Sequence, residues 1–434
     1  MTAAVLHPVT PAAVRASRFA CPAPPAPPRP PGDRPRYALS IRVHRGYRRV
    51  DGRLSVRFTP NLDTRRLVFR LWPNGPRQLR EGARLAVADI TVDGDPVAAH
   101  RPDATTLVLR RRIRRGGSVT VRLTWRLRVP RTGNDRIARF RSGVRLGSFF
   151  PILPWDPRRG WVTDAPTRQI AETSTTPTAD FDIRVSVPPG ARAFVTGSPV
   201  GRDHWHARAV RDVAVAAGRF RVATGIARAP RPVTVTVAAA GRAQVPRDVL
   251  TVTLRALRSL ARMYGSYPWA SYTVVATPDL DAEGIEYPTL VFIGGASIVT
   301  LLVQHETAHQ WFYSLVGNNQ ARDPWLDEAL ATWAQIDLSG ARAGELAPEG
   351  PFRHVGARVS YFDRHRRTDY YSQVYAGGVK ALASLKSPRR VDCALKLYVA
   401  RNAYAIAQPR DLLAALDRFI PGAATRLRRF GIHG

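Results

Sequence analysis

The sequence contains little lysine, cysteine or methionine, and it has no long apolar run. Only three of its 434 residues are lysine, so arginine carries nearly all of its basic charge. Its two cysteines, Cys21 and Cys393, cannot form a disulfide framework, and they leave the redox compartment open. No stretch approaches the roughly 18 apolar residues of a membrane-spanning helix, so we expect no such helix.

The net charge of +33 at pH 7 is unusual for a chain of ordinary hydrophobic content, 44%. A compositionally biased genome would produce an arginine-rich chain whose charge has no function of its own. Alternatively, the basic surface associates with a polyanion, such as an acidic membrane or a cell-wall surface. The sequence has no nucleic-acid-binding motif, so we expect no specific nucleic-acid partner.

Residues 1–35 are predicted to be a disordered, proline-rich leader. The first twenty residues lack the continuous apolar segment of a secretory signal, and the proline-rich stretch 22–31 is typical of a stiff, extended linker. The localisation stays open. The protein is cytoplasmic if Met1 is the true start, and it belongs to the cell envelope or is secreted if the true start lies upstream.

Residues 36–230 show a period of two, which predicts an all-β domain. In the clearest strand, 119–129, valine, leucine and tryptophan alternate with threonine and arginine, as in a half-buried antiparallel strand. Similar runs occur at 54–59, 67–72, 181–187 and 219–224. The arginines fall mostly at outward positions, so we expect them to form a solvated face.

Residues 231–434 show a different pattern, in which helices dominate. Apolar residues recur at helical spacing over 247–264, short strands are indicated at 273–276 and 289–293, and helices prevail from Ser297 onward. The chain as a whole is therefore predicted to be an α+β, multidomain protein.

The segment 303–311 contains H-E-x-x-H, and a further glutamate follows the second histidine after eighteen intervening residues. On a helix, His305 and His309 lie on one face and can bind one zinc ion. Glu306 then stands beside the metal without ligating it, where a general base can take a proton from the attacking water. Asp323 and Pro324 mark the start of a second helix, from which Glu328 can supply the third ligand.

Two further segments carry candidate chemistry. Residues 279–288 contain four carboxylates, which form either a solvated acidic loop or a negative lip that binds a cationic group, such as the free amine of a peptide. Within that segment, Gly284 would let the backbone pass close to a substrate. Residues 370–378 contain three tyrosines. A tyrosine hydroxyl in a metal pocket can donate to an oxyanion, although the spacing alone favours a packing role for each of them.

These residues together resemble the gluzincin zinc metallopeptidases of the aminopeptidase N and leukotriene-hydrolase family, from about Tyr37 to near the C-terminus. The resemblance implies an N-terminal antiparallel β saddle domain, then a thermolysin-like, mainly helical catalytic domain, without the C-terminal helical domain of many relatives. It implies one Zn²⁺ per chain, bound by His305, His309 and Glu328. Glu306 would be the general base and Tyr375 the transition-state tyrosine.

The resemblance also extends to the substrate site. Residues 283–287 fall where the family carries Gly-x-Met-Glu-Asn, so Glu286 matches the glutamate that binds the substrate's α-amine, with Glu283 and Gly284 beside it. Glu283, Ile285 and Tyr287 depart from that motif. No second amine-binding glutamine or glutamate can be placed in the β domain, where 147–150 lies at roughly the corresponding position.

The implied activity is that of an aminopeptidase that removes N-terminal residues from peptides. One alternative is an endopeptidase or broad peptidase without amine recognition. Another is a non-catalytic polyanion-binding protein. The sequence does not give the oligomeric state.

Overall fold

The computed structural model of the chain describes residues 20–131, 136–169, 175–241, 245–280, 283–294, 299–340, 350–365 and 369–434. Most of the predicted leader, residues 1–19, and one carboxylate of the acidic segment, Asp281, lie outside the described residues. The first half of the chain is built of strands, and the second half combines a sheet with helices. The predicted α+β, multidomain class is confirmed at this level.

The strands of the first half are β1 (Arg36–Val43), β2 (Arg49–Phe58), β3 (Thr64–Arg70), β4 (Arg84–Val92), β5 (Asp95–Pro96), β6 (Ala99–Asp103), β7 (Thr106–Ile113), β8 (Val119–Arg128), β9 (Ile137–Phe140), β10 (Gly143–Gly147), β11 (Trp155–Asp156), β12 (Gly160–Trp161), β13 (Ala179–Ser186), β14 (Arg192–Val195), β15 (Ser198–Gly201), β16 (His204–Val210) and β17 (Ala214–Gly218). They are followed by β18 (Arg221–Arg228), β19 (Pro232–Ala239), β20 (Ser271–Ala276), β21 (Gly284–Tyr287), β22 (Leu290–Ile293), β23 (Gly317–Asn318) and β24 (Ile406–Ala407).

The helices are α1 (Pro76–Arg80), α2 (Pro246–Tyr264), α3 (Val299–Ala308), α4 (Trp325–Ser339), α5 (Val359–Arg364), α6 (Gly377–Ala383), α7 (Pro388–Asn402), α8 (Pro409–Phe419) and α9 (Ala423–Leu427). A π-helical turn, Tyr371–Ala376, leads into α6. Among the described residues, no helix has the length and apolar character needed to cross a membrane.

The largest sheet of the first half has eight strands in the order β15-β16-β13-β1-β2-β8-β4-β5. All neighbouring pairs are antiparallel except β1 and β13, which run parallel. The predicted strand 119–129 is β8, whose apolar side chains from Val119 to Leu127 are buried and alternate with outward threonines and arginines, as expected. The alternation arises because successive side chains of a strand point to opposite faces of the sheet.

The second half contains a five-stranded sheet in the order β18-β19-β20-β22-β21. The predicted strand at 219–224 corresponds to β18, which pairs with β19 and therefore belongs to this second sheet. The predicted domain boundary at residue 230 remains a prediction. The edge strand β21 was not expected, because the acidic segment 279–288 had been interpreted as a loop.

Helix α2 covers the predicted helix at 247–264 and packs on the second sheet. Pro246 occupies its first turn, where a missing N–H costs no intrahelical hydrogen bond. Its buried face includes Val249, Leu257 and Leu260, at the spacing of one helical stripe. Helix α2 contacts β18, β19 and α3, so it holds α3, the helix that carries His305, against the sheet.

Three arginines of the first half are buried, contrary to the expected solvated face: Arg70, Arg145 and Arg211. Arg145 donates to Thr277 Oγ1 at 2.9 Å and to Asp279 Oδ1 at 2.7 Å. Arg211 donates to the carbonyl oxygens of Thr176 and Leu315. Because partners of Arg145 and Arg211 lie in the second half, these arginines join the two halves. Burial is tolerated because each guanidinium finds several acceptors.

A disulfide between Cys21 and Cys393 ties the leader to helix α7, with the two Cα atoms 5.3 Å apart. Further along the leader, Arg34 forms an ion pair with Asp180 of β13 at 2.8 Å. Residues 20–35 contain no helix or strand, yet they are held at both ends. The sequence analysis did not predict this bond, because the two cysteines are 372 residues apart and spacing gives no pairing.

We expect the Cys21→Ser/Cys393→Ser variant to lose about 2–4 kcal/mol of unfolding free energy, since the bond restricts the unfolded chain. The measurement is a denaturant titration of both proteins with and without reductant. Reductant should lower the wild-type midpoint to that of the variant and leave the variant unchanged. An unchanged wild-type midpoint under reduction would contradict this expectation.

Candidate active site

Helix α3 and the residue that follows it bring the two histidines of H-E-x-x-H together. His309 continues the helical hydrogen bonding, since its backbone N–H donates to the His305 carbonyl at 3.3 Å. The Nε2 atoms of His305 and His309 are 3.1 Å apart. His309 is fully buried, and His305 keeps 12% of its side chain exposed. The two imidazoles therefore converge on one point, as their spacing predicted.

Glu328, on the first turn of α4, completes the group. Its Oε2 atom lies 3.3 Å from His305 Nε2 and 3.4 Å from His309 Nε2. The helix begins one residue later than expected. Pro324 rather than Asp323 is the N-cap residue, and no side chain caps the helix. The side chain of Asp327 instead accepts the backbone N–H of Glu328 at 2.9 Å.

The three donor atoms fit a zinc ion. Three ligands at about 2.0–2.1 Å from a tetrahedral zinc are separated by about 3.3–3.4 Å. The three observed separations, between 3.1 and 3.4 Å, are close to that value. Two imidazoles and one carboxylate are also the donor set of a catalytic zinc site, which keeps its fourth position for water or substrate.

The second ring nitrogen of each histidine has an acceptor that fixes its tautomer. His305 Nδ1 lies 3.1 Å from Gln335 Oε1, and His309 Nδ1 lies 3.1 Å from the Phe312 carbonyl oxygen. With the proton on Nδ1, each Nε2 presents its lone pair toward the metal position. Gln335 and Phe312 were missed by the sequence analysis, although Gln335 lies seven residues after Glu328 and shares its helix face.

Burial and neighbouring charges shift the pKa values of the two histidines and of Glu328. Burial lowers the pKa of His305. Burial alone would also lower the pKa of His309, but the surrounding carboxylates, led by Glu286, raise it well above its ordinary value. Burial acts to raise the pKa of Glu328, yet hydrogen bonds from both histidines hold it below its ordinary value. Glu328 is therefore an anion, which suits a metal ligand.

Glu306 is buried beside the histidines and is available for proton transfer. Its Oε2 atom is buried and has no hydrogen-bond partner among the residues that the structure describes. Burial, together with the charges of Glu286 and Glu328, raises the pKa of Glu306 well above its ordinary value. A carboxylate with a raised pKa is a stronger base, as a proton-transfer group requires.

Gly284 has a different role from the one expected. A Cβ atom at this position would collide with the Glu306 carboxyl group, so glycine is needed to leave room for that side chain. The sequence had suggested a close approach of the backbone to substrate. The observed contact is instead with Glu306, and any role of Gly284 in substrate binding remains a prediction.

Glu286 lies on the edge strand β21 and is 4% exposed. Ligand atoms of Glu286, Glu306 and His309 lie within 4.8 Å of one another. Gln320 Nε2 is 3.5 Å from Glu286 Oε1 and donates to Asp327 Oδ2 at 3.0 Å. Glu286 therefore belongs to the same buried group as the proposed base, and the strand places it there by pointing its side chain toward α3.

Arg136, at the start of β9, is a residue that the sequence analysis missed. Burial raises the pKa of the Glu286 carboxyl, and the positive charges of His309 and Arg136 oppose that rise. The backbone carbonyl of Arg136 accepts the N–H of Gly147, which places it beside the segment 147–150. The family resemblance implies a second amine-binding carboxamide or carboxylate in the β domain. The first half of this chain instead supplies a cation, Arg136, whose charge acts on Glu286.

The segment 147–150 itself offers a hydroxyl. Ser148 Oγ donates to Asp212 Oδ2 at 2.8 Å and lies 3.2 Å from the Tyr287 hydroxyl. Burial raises the pKa of Asp212 to about 7. These contacts engage Ser148 with neighbouring protein groups and bring Tyr287, one of the departures from the family motif, into the interface between the two halves.

Tyr375, on the π-helical turn, is adjacent to the metal ligands. Its ring stacks on that of His305, with centroids 5.8 Å apart and an interplanar angle of 13°. Burial, and after it the negative charge of Glu328, raise its pKa well above the ordinary value. The hydroxyl therefore keeps its proton and can act as a donor. Single π-helical turns are frequently found at functional sites.

Other residues of the two candidate segments have interactions of their own. Glu283 is partly exposed and acts on Tyr371, whose pKa is raised to about 12 by burial and by the charge of Glu283. Asp279 is paired with Arg145, as described above. These two carboxylates of the acidic segment therefore have different partners. The segment as a whole is neither a solvated loop nor a single negative lip.

Comparisons with known proteins agree with this arrangement. Residues 249–430 match the model of the Peptidase family M1 domain. Human aminopeptidase RNPEPL1 is 36% identical over 85 residues, which cover 18% of this chain and 12% of the relative. Aminopeptidase M1-B from Oryza sativa subsp. japonica is 26% identical over 211 residues, 41% of this chain and 24% of the relative. The chain thus matches a quarter or less of the length of these relatives.

A solved structure covers nearly the whole chain. The M1 zinc metallopeptidase from Deinococcus radiodurans aligns with 93% of this chain and 94% of its own, with a TM-score of 0.68 and 19% identity. A mutant of that enzyme bound to a Tyr-Ser-Ala substrate aligns with a TM-score of 0.65. At this identity the likeness concerns the fold alone. Residues 249–430 thus resemble the Peptidase family M1 domain, and the chain shares the fold of an M1 zinc metallopeptidase.

Proposed function

We propose that the protein is a zinc-dependent aminopeptidase that removes N-terminal residues from peptides. We also infer that its first half is the saddle domain of the family and its second half the thermolysin-like catalytic domain. Each chain would hold one catalytic zinc, with His305, His309 and Glu328 as its ligands. The observation that carries the proposal is that these three donor atoms lie 3.1–3.4 Å apart, with a buried, unpartnered Glu306 oxygen beside them.

The protein groups divide the reaction between them. When bound, zinc polarises the scissile carbonyl and lowers the pKa of water at the site. Glu306 accepts a proton from the attacking water and passes it to the leaving amine. Tyr375 donates its hydroxyl proton in a hydrogen bond to the oxyanion of the tetrahedral intermediate. Glu286 binds the free α-amine, which places the first peptide bond next to Glu306.

A second candidate is an endopeptidase or broad peptidase without amine recognition. The observation that favours it is the positive charge of Arg136 near Glu286, which competes with a substrate amine for the same carboxylate. The segment 147–150 also contains no glutamine or glutamate that could bind the substrate's amine, which favours the same candidate. The two candidates share the metal ligands, base and tyrosine, and they differ only in whether Glu286 recognises the substrate's N-terminus.

The test combines metal analysis of the purified chain with hydrolysis of a panel of aminoacyl reporters, each compared with its N-acetylated form. We expect zinc in the protein, hydrolysis that a chelator abolishes and added Zn²⁺ restores, and a strong preference for free amines. Equal rates for free and acetylated reporters would select the second candidate. Zinc-independent hydrolysis, or none with zinc bound, would refute both candidates.

Glu286→Gln should lower kcat/KM for a free aminoacyl reporter by roughly 10–100-fold, because a hydrogen bond to a charged group contributes about 1.5–3 kcal/mol. Hydrolysis of the acetylated reporter should change little. Steady-state kinetics on both reporters measure the difference. Glu81→Gln, at a carboxylate that pairs with Arg77 of α1 and has no role in the proposal, is the matched control. An equal loss on both reporters would remove Glu286 from amine recognition.

A further inference from the structure

A second group of metal-binding side chains lies on the eight-stranded sheet of the first half. Asp182 is on β13, and His204 and His206 are on the neighbouring antiparallel strand β16. Asp182 is directly opposite His206 in the strand register. His204 and His206 are two residues apart, so both side chains leave the same face of the strand, next to Asp182.

The three side chains converge closely. His204 Nε2 is 3.0 Å from each carboxylate oxygen of Asp182, and His206 Nε2 is 2.9 Å from Asp182 Oδ2. The donor atoms of all three residues lie within 4.8 Å of one another. The two rings are 4.8 Å apart at an interplanar angle of 89°. The pair His305 and His309 has nearly the same geometry, 4.8 Å and 81°.

We propose that Asp182, His204 and His206 form a second site for a divalent transition-metal ion, separate from the catalytic zinc. Two imidazoles and a carboxylate suit Zn²⁺, Cu²⁺ or Ni²⁺, whereas Ca²⁺ and Mg²⁺ prefer oxygen ligands alone. The rigid pairing of β13 with β16 holds the donors in place before the metal arrives. Three protein ligands leave at least one coordination position for water or for a further ligand.

The surroundings allow a metal ion to enter. The side chains of His204, His206 and Asp182 are 21%, 39% and 47% exposed, so the group is reached directly from solvent. Arg184 is opposite His204 in the register and is exposed, and its positive charge opposes binding. The carboxylate of Asp182 and that of the exposed, adjacent Asp203 offset it. A bound ion would link the two strands through side chains, in addition to their backbone hydrogen bonds.

The experiment measures the number of Zn²⁺ ions bound by the metal-stripped full chain in equilibrium dialysis, with free Zn²⁺ set by a metal buffer. Wild type should bind two equivalents. His204→Ala/His206→Ala should bind one and keep wild-type hydrolysis, whereas His305→Ala should bind one and lose hydrolysis. Because the two variants remove different equivalents, failure of the second site and failure of the proposed catalytic site are distinguishable.

The control is His100→Ala, which removes an exposed histidine of the same half and should leave two equivalents. His206→Gln keeps the size and polarity of the side chain, so its affinity at the second site should fall at least roughly tenfold without loss of folding. A single equivalent in wild type, or two in His204→Ala/His206→Ala, would overturn the proposal. Preferential binding of Ca²⁺ at this site would overturn the assignment to a transition metal.

Discussion

Glu306→Gln is expected to retain its zinc and to lose hydrolysis by roughly 10²–10⁴-fold, the usual contribution of a positioned general base. Glutamine has nearly the same size and shape, so it fills the space that Gly284 leaves open without disturbing the ligands. It cannot accept a proton from water. The amide also lacks the buried negative charge that neighbouring carboxylates make strongly basic in the wild-type protein.

Zinc content and steady-state kinetics on a free aminoacyl reporter are the measurements for this variant. Glu81→Gln again serves as the matched control, because it makes the same chemical change at a carboxylate that has no role in the proposal. If Glu306→Gln cleaves at the wild-type rate with zinc bound, Glu306 is not the base. If Glu306→Gln loses its zinc, the assignment of Glu306 as a non-ligand is wrong. The loss of hydrolysis would then reflect the missing metal rather than the missing base.

Tyr375→Phe is expected to lower kcat by roughly 10²–10³-fold with little change in KM, since an oxyanion donor acts mainly in the transition state. The wild-type hydroxyl keeps its proton, because burial and the negative charge of Glu328 raise its pKa well above the ordinary value. Phenylalanine keeps the ring that stacks on His305, so a loss of activity can be attributed to the missing hydroxyl group.

Tyr371→Phe is the matched control, because it removes a hydroxyl from the same turn at a ring that is 41% exposed. It should change kcat by less than roughly threefold, as expected for a surface substitution. Zinc content must be measured in parallel, given the contact of Tyr375 with Glu328. A Tyr375→Phe variant with wild-type kcat, or one that changes only KM, would contradict a role in the transition state.

Much of this architecture could be predicted because the relevant signals are local. The spacing of His305 and His309 predicts their shared face from helix geometry alone, and the alternation in β8 predicts its buried and outward sides. Periodicity likewise predicted the α+β class, which the structure confirms, and the short motifs predicted the resemblance that the match of residues 249–430 supports. The residue roles at the site remain predictions, although the three ligand side chains converge as their spacing suggested.

Other features depend on contacts between distant parts of the chain, which spacing does not encode. The edge strand β21 escaped prediction because its four residues are too few to carry a clear period-two signal, and only pairing with β22 makes them a strand. The charge of Arg136 acts on the pKa of Glu286 from the other half of the protein. The buried Arg211 could not be told from its exposed neighbours, because its acceptors are backbone carbonyls. The proposed association of the basic surface with polyanions remains a prediction.

The link between the leader and α7 also bears on the order of events during synthesis. A ribosome makes Cys21 long before Cys393, so this bond can close only after the 372 residues that separate the two cysteines have been synthesised. With only two cysteines in the chain, no incorrect intramolecular pairing competes. Such a bond persists where thiols are oxidised and opens in the glutathione-rich cytosol. Fastening of the leader is therefore a final maturation step, and it depends on where the newly made protein is delivered.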